Sequence, residues 1–443
     1  MSVLNRLDRF NAAERRAVTV LGAVYGARMF GLFALLPVLA LWAATLPGAT
    51  PLWVGLAVGA YGLTQALFQI PFGRASDRFG RRPVIAFGLL LFAAGSLLAA
   101  AAEDVFGLLL GRLLQGAGAV SGAVLALAAD LSRPEQRARV MALLGAVIGL
   151  AFVAAMVAGP PLYALLGGRG LFLMVGALAL IALAALWCGL PSLPPPRPET
   201  GAAPWRALRW VGLFEPCLGV FCLHALLTAC FVRMPQALVD VLGLAPAYHG
   251  AVYLAVMAAS LPPVLALLRR NRAVPWRPAV AVLGAAPLVW WGWPQPVPWL
   301  IALLAFFTAF NLLEASLPAA VSRRVPARWR GAALGVYSTC QFLGAFAGGA
   351  GAGWALNLAG PAGVWALAIA LAAAWLIIGA WTARRPGRYL LEPADGAPPD
   401  RVLAELRAVP GVLAARWQDE LAAVGLEVDR RCFDERVVRR FQG

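Results

Sequence analysis

The fold class that this sequence predicts is an all-α membrane protein, with twelve transmembrane helices in two six-helix halves and a small α+β domain at the C-terminal end. Three observations predict it. The 443 residues are 61% hydrophobic and only 13% charged, whereas a soluble domain is about half apolar and a quarter charged. Stretches of 18 or more residues with few charges recur along almost the whole length, as membrane-spanning helices require. Every basic residue is arginine, and the arginines gather in alternate loops between those stretches.

Taken in order, the apolar stretches predict helices over 17–44, 52–72, 83–102, 105–129, 140–166, 170–190, 214–239, 248–268, 278–294, 298–321, 331–356 and 362–383. Each is near the ~20 residues that cross a bilayer. The ninth is short and ends in WWGWP, a composition suited to the membrane interface. The second, fourth, sixth, eighth and tenth loops hold the arginine clusters 74–82, 133–139, 197–209, 269–277 and 323–330, while the odd loops hold only Arg169. By the positive-inside rule the even loops and both termini are expected on the cytosolic side of the cell membrane.

PSLPPPRPETGAAP (191–204) is a Pro-rich break between the halves. It divides the chain into a first bundle (1–190), a linker (191–213), a second bundle (214–384) and a tail (385–443). RPEQRARVMALLG and VPARWRGAALG each lead into a helix, and one constant shift places Gly145 on Gly335 and Gly159 on Gly349. Duplicated halves joined by a linker are a common plan of secondary transporters. In the tail the composition changes, and ten of the 21 acidic residues lie there. Its pattern predicts a strand at 389–392, an amphipathic helix with Val402, Leu403, Leu406 and Val409 on one face, a strand-like stretch from Trp417, a strand with Val424, Leu426 and Val428 alternating, and a short helix in FDERVVRRF. That order is ferredoxin-like without a clear final strand.

Composition also excludes function classes. The net charge of +16 does not form one basic face, so a nucleic-acid partner is not expected. The six cysteines contain no C-x-x-C pair and read as apolar packing residues, with neither a disulfide framework nor a metal site. MSVLNRLDRFNAAERRA lacks an uninterrupted apolar core and reads as a cytosolic lead-in, not a signal peptide. There is no H-E-x-x-H and no G-x-S-x-G, and only two histidines, so the chain is not expected to be an enzyme.

GRASDRFGRRPV (73–84) packs five charges between two apolar segments. Gly73 and Gly80 allow a tight turn between helices. Arg74, Arg78, Arg81 and Arg82 anchor the loop at the cytosolic face, and Asp77 is an acid among them. The pattern G-x-x-x-D-R-F-G-R-R, between the second and third spans of a twelve-helix chain, resembles the signature loop of the major facilitator superfamily. GRLLQGAGA from Gly111, around Arg112, and VAGPPL (157–162) are similar to two further motifs of that family, and RRNRAVPWRP is a degenerate copy of the loop in the second half. The resemblance covers residues 16–383. It implies the major facilitator fold, with Asp77 docking on the end of the eleventh helix near Gly331 and Arg78 pairing with Asp130, contacts that lock the halves together and break during the cycle. YGARMFGLFALLPVL (25–39), FCLHALLTACFVRMPQAL (221–238) and the tail resemble the YajR-type members, which carry a ferredoxin-like (YAM-like) C-terminal domain.

Ionisable residues inside spans are functional candidates. Here they are Arg28, Arg112, His224, Arg233 and Glu314. They lie on the first, fourth, seventh and tenth helices, which the resemblance implies line the cavity. Tyr61, Gln65 and Gln69 recur every four residues, as do Tyr337 and Gln341, and Asn311 adds a further polar group. Glu314 lies about 12 Å along its helix from the cytosolic end, and His224 lies at a similar depth; these two are the candidates for exchanging a proton. The function expected is secondary active transport by alternating access, proton-coupled, exporting small amphipathic compounds, neutral or anionic by the sign of the cavity charges. An uptake carrier or facilitator, and a membrane sensor signalling through its tail, are the alternatives. No cofactor is expected beyond a coupling proton, and the chain is expected to be a monomer in the bilayer, with a cytosolic partner or ligand for its tail.

Overall fold

The structure is a computed structural model that describes residues 10–190, 208, 210–269, 276–392, 399–421, 423–429 and 432–434. Nearly all of it is helix. The first half comprises α1 (Ala12–Leu35), α2 (Leu39–Ala43), α3 (Pro51–Phe79), α4 (Arg81–Ala100), α5 (Val105–Ala117), α6 (Ser121–Asp130) and α7 (Pro134–Gly189). The second comprises α8 (Phe214–Leu242), α9 (His249–Arg269), α10 (Trp276–Gly292), α11 (Pro296–Arg324) and α12 (Arg330–Thr382). Side chains set the starts: Asn11 and Glu14 form a capping box on α1, Thr50 caps α3, and Asp104 caps α5.

Helix stands at each of the twelve expected positions. Among the described residues, nine segments are long and apolar enough to cross a membrane. α7 and α12 each leave helical geometry once, at Gly167 and at Ala359–Gly360, and so divide into two arms. α10, at 17 residues, is shorter than any of these nine segments. Two expected helices are interrupted: the first between α1 and α2, and the fourth at Gly118–Val120 between α5 and α6. Apolar composition could not mark these breaks, because it continues across them. The aromatic end of α10 divides its work. Trp290 is buried against Trp299 and Trp365, while Trp291 and Trp293 are exposed.

The packing of the halves is asymmetric along their length. At one end the backbones touch. A Cβ on Gly55 would lie 2.4 Å from the Gly349 carbonyl oxygen, and one on Gly353 would lie 2.8 Å from Gly55 Cα. Gly59 and Gly62 meet the carbonyls of Phe346 and Phe342 in the same way. A second contact between the halves seats Gly250 of α9 on the Val157 carbonyl of α7. Only glycine permits such approaches. At the other end, which carries the 73–82 loop, the described residues leave open space around Gly73, Gly145, Gly149, Gly331 and Gly335. The two pairs related by the internal repeat behave alike: Gly145 and Gly335 are open, Gly159 and Gly349 are packed against backbone. The buried core follows the same division. One apolar cluster joins both halves at the closed end, and at the open end each half keeps a cluster of its own.

The tail forms a three-stranded antiparallel sheet in the order β1-β3-β2, with β1 Gly387–Leu391, β2 Val412–Gln418 and β3 Ala423–Val428, and α13 (Pro399–Arg407) between β1 and β2. This agrees with a ferredoxin-like module. β2 begins five residues before the expected Trp417, because a register shift between Val412 and Ala414 disturbs the alternation there. The helix expected in FDERVVRRF falls, beyond its first two residues, outside the described residues.

Alternation gives the sheet two faces. Tyr389, Leu391, Val424, Leu426 and Val428 pack with Val402 and Leu406 of α13. On the opposite face Leu390 and Ala423 join Leu213, Cys217, Val321, Val325, Trp329 and Ala333 of the second bundle. Gly425 lies against the Trp210 ring. Arg328 adds an ion pair to Glu392 at 3.3 Å and donates to the Leu421 carbonyl. The contacts of this face are therefore with the second half.

Deleting residues 388–443 uncovers Val321, Val325 and Trp329. The loss of a large buried apolar side chain is worth about 1.5–3 kcal/mol, so the truncated protein is expected to insert and retain transport but to unfold at a lower temperature in detergent. Thermal unfolding of full-length and truncated protein checks this; an unchanged midpoint would mean that the docked face contributes nothing to stability.

Candidate functional site: a loop at the open end and two polar clusters

At Gly80 the backbone turns from α3 into α4 with φ 95° and ψ 149°, a conformation that disfavours any side chain. The turn folds Arg81 back onto the preceding helix. Its guanidinium pairs with Asp77, donates to Ser76 Oγ at 2.8 Å, and reaches Asp130 Oδ2 at 3.2 Å. Arg81, not the expected Arg78, is thus the partner of Asp130. Arg78 precedes the turn and lays its guanidinium over Phe79. Arg82 stacks on Trp187 at 4.5 Å and donates to its carbonyl. The loop so ties α3, α4, α6 and the end of α7. Asp77 remains 60% exposed and the space around Gly331 is open, so the expected docking of Asp77 on that helix end is not made in this conformation.

Two ion pairs missed by the sequence reading brace this end. Glu14, only 1% exposed, accepts from the Arg133 backbone N–H at 3.1 Å, from Nε at 2.8 Å and from Nη2 at 3.0 Å. Glu215 accepts from Arg324 Nη2 at 2.8 Å. The first joins the start of α1 to the residue that precedes α7, and the second joins the start of α8 to the end of α11. The capping box N-A-A-E at 11–14 was legible, but its partner lies more than a hundred residues away.

Within the first bundle the polar candidates form a closed network. Arg28 is 1% exposed and donates to Tyr61 Oη (2.8 Å), Gln65 Oε1 (2.9 Å), Ser121 Oγ (3.0 Å) and the Gly118 carbonyl (2.9 Å). The carbonyl lies in the break between α5 and α6, where it also accepts from the Val120 N–H at 2.9 Å. Tyr61, Gln65 and Gln69 are linked in series at 3.1 and 3.0 Å. Arg112 donates to Gln115 Oε1 at 2.6 Å and sits 5.2 Å from the Tyr61 ring centroid. These hydrogen-bond acceptors are all neutral. Arg28 and Arg112, expected in the cavity from the family resemblance, and Tyr61, Gln65 and Gln69, expected there from their spacing, have buried side chains here.

The second bundle holds the opposite sign. His224 Nδ1 lies 3.2 Å from the Val220 carbonyl, which can only accept, so Nδ1 carries hydrogen. Nε2 is 2.8 Å from Gln341 Nε2 and 3.7 Å from Glu314 Oε2. Gln341 also donates to Glu314 Oε1 at 3.4 Å. Its amide thus links α8, α11 and α12. Glu314 is 38% exposed, yet its Oε2 is buried without a hydrogen bond among the described residues. Tyr337 is buried, and its hydroxyl has no hydrogen bond among them either. Asn311 donates to Ser260 Oγ at 3.0 Å, joining α11 to α9. Arg233 pairs with Asp240 at 2.6 Å on its own helix, so its charge is balanced and does not add to the cavity field as the sequence reading supposed. No group of three or more His, Cys, Asp or Glu suited to a metal occurs among the described residues.

The signature loop, the duplicated bundles and the small-residue contact between them are now in view, and the comparison with known families agrees with them. The pattern of the Major Facilitator Superfamily matches residues 21–349. The chain belongs to the major facilitator superfamily. It is 37% identical to the inner membrane transport protein YajR of Escherichia coli (strain K12), over 98% of this chain and 97% of that protein. It is 30% identical to an uncharacterized transporter of Buchnera aphidicola subsp. Acyrthosiphon pisum, over 76% of this chain and 90% of that one. Among solved structures, a bacterial homologue of the human lysosomal transporter Spinster superposes with a TM-score of 0.65 at 16% identity, covering 84% of this chain and 96% of that one. The human organic anion transporter MFSD10 superposes with a TM-score of 0.60 at 22% identity, covering 83% and 99%. These two show the fold. Membership of the superfamily makes the protein a multi-pass membrane transporter and not an enzyme.

Replacing Glu14 by Gln removes the charge from a carboxylate that accepts three bonds from Arg133. Hydrogen bonds to charged groups contribute about 1.5–3 kcal/mol, and the exposed pair at Asp77 less than about 1 kcal/mol. Glu14→Gln is therefore expected to lower thermal stability more than Asp77→Asn. Equal midpoints for the two variants would show that the buried pair is no brace.

Proposed function

We propose that this protein is a proton-coupled secondary transporter that works by alternating access, exports small amphipathic compounds, and is seen here open to the cytosol. The observation that carries the reading is the Glu314–His224–Gln341 cluster, an acid and an imidazole joined through one amide in the second bundle. Neutral His224 offers Nε2 as a proton acceptor. Glu314 Oε2, with no hydrogen bond among the described residues, offers another. Adding a proton at His224 Nε2 removes an acceptor of the Gln341 amide, and adding one at Glu314 Oε2 takes the charge from the carboxylate whose Oε1 accepts from that amide; either weakens the bond between α12 and its neighbours. α12 is also the helix whose glycines close the other end of the molecule. Protonation and the gate are in this way linked through one element.

The positive-inside rule supports placing the arginine-rich, open end in the cytosol. In the opposite state that end closes, and Asp77, freed from Arg81, meets the N–H groups at the start of α12, which carry a partial positive charge. The charge of the bundles supports a neutral or anionic substrate over a lipophilic cation. Arg28 and Arg112 are hydrogen-bonded to neutral acceptors only, and the field of such charges is strong in a low-dielectric interior. Competition between matched anionic and cationic dyes is expected to favour the anion.

In proteoliposomes, transport by the unaltered protein is expected to follow an imposed proton gradient. Glu314→Gln is expected to bind and exchange substrate but to lose at least tenfold in gradient-driven accumulation. Gradient dependence that survives in Glu314→Gln, in His224→Gln and in the double variant would remove both residues as proton carriers.

The closed end supplies an independent test of the conformational reading. A side chain on Gly353 would meet the backbone of α3, including the Pro51 carbonyl at 2.6 Å from its Cβ. Gly353→Val is thus expected to disfavour this closed state. A loss of about 2.7 kcal/mol would change the ratio of the two states about a hundredfold. Alkylation of single cysteines placed at that end should rise in the variant; unchanged labelling would mean that the contact does not gate access.

A further inference from the structure

Helices α8 and α12 run side by side in a fixed register. A Cβ on Gly344 would lie 2.2 Å from the Phe221 carbonyl oxygen, and a Cβ on Gly348 would lie 2.2 Å from that of Ala225. One helical turn before these two rungs, the same register pairs Cys217 with Cys340. Both belong to one apolar cluster at the open end. The close approach that the glycines impose suits a disulfide, which needs Cα atoms about 4.4–6.8 Å apart. Both thiols are free here, Cys217 buried and Cys340 partly exposed.

We propose that Cys217 and Cys340 form a reversible redox site that a peroxide closes into a disulfide between α8 and α12. The more exposed Cys340 reacts first. Its thiolate attacks one peroxide oxygen, the O–O bond breaks, and hydroxide leaves, giving a sulfenic acid. The Cys217 sulfur then displaces the hydroxyl from Cys340; the S–S bond forms and water departs with the Cys217 proton. Two thiols lose two electrons, and hydrogen peroxide is reduced to two molecules of water. In a reducing cytosol the pair rests as thiols, and a disulfide there is a signal and not a permanent brace. Cys340 directly precedes Gln341. The staple therefore fixes the turn of α12 that presents Gln341 to His224 and Glu314. Its effect on transport rests on the proton-site reading above, whereas the thiol chemistry does not.

The test uses the full-length protein in detergent, treated with hydrogen peroxide, denatured, alkylated with a mass-tagged maleimide and digested without reduction. Two of the six thiols are expected to be lost, with a linked Cys217–Cys340 peptide that dithiothreitol resolves. In Cys217→Ala no linked peptide should form, and the Cys340 sulfenic acid should be trapped by dimedone. In proteoliposomes the oxidised protein is expected to transport severalfold more slowly, recovering with dithiothreitol, while Cys217→Ala is insensitive to peroxide. Six alkylatable thiols after treatment, or a linkage through Cys188 or Cys432 instead, would overturn the site. A Cys217–Cys340 disulfide that leaves transport unchanged would overturn the switch. Glu314→Gln, tested without oxidant, reports on the proton reading separately.

Discussion

Where Gly55 and Gly59 of α3 meet Gly349 and Gly353 of α12, the two halves touch backbone to backbone. No side chain intervenes, so the contact is short-range and steep in distance: it is either made or lost, with little between. Dispersion falls away within an ångström of separation, and two rigid helices so placed behave as a two-position device. The rest of the architecture is arranged around that contact. The apolar cluster that spans both halves includes residues beside that contact, Val54, Ala57, Val58 and Ala352. At the other end each half is sealed separately by its own core and its own ion pair, Glu14 with Arg133 and Glu215 with Arg324. A half braced in this way can move as a unit.

The halves are alike in path and unlike in charge. The duplicated ion pairs and the paired behaviour of Gly145 with Gly335 and of Gly159 with Gly349 reflect a common plan. Yet the first bundle buries Arg28 and Arg112 among hydroxyl, amide and carbonyl oxygens, and the second sets Glu314 beside His224. A buried guanidinium needs many acceptors to offset lost hydration. The i, i+4 ladder of Tyr61, Gln65 and Gln69 and the interrupted helix at Gly118 supply them. What reads in sequence as a polar stripe facing a cavity is, in the fold, the solvation shell of one arginine.

The tail presents one face of its sheet to α13 and the other to the second bundle. An isolated three-stranded sheet with a single helix has one apolar face uncovered, and such a sheet needs a partner layer for stability. Here the open-end termini of α8, α11 and α12 are that layer, with Arg328 binding both Glu392 and the Leu421 carbonyl. The thiol pair lies in the same cluster, so docking of the tail and closeness of Cys217 and Cys340 draw on the same packed surface.

The sequence by itself determined the fold class, the helix positions, the duplication, and the family. Long apolar runs, alternating arginine loops and G-x-x-x-D-R-F-G-R-R are local patterns, and local patterns are what hydropathy and spacing report. It also named the groups that meet around Glu314, because an ionisable residue in an apolar span stands out without any knowledge of its neighbours. Only the tertiary structure decided how those groups pair. Arg81 takes Asp130 because Gly80 turns the chain through a positive φ; Arg233 is neutralised by Asp240; Gln341 reaches two helices; and Glu14 finds Arg133. Each of these depends on the direction in which a side chain leaves its helix, or on a partner far along the chain. Neither quantity is carried by composition or period, because both arise only when the helices have been placed against one another.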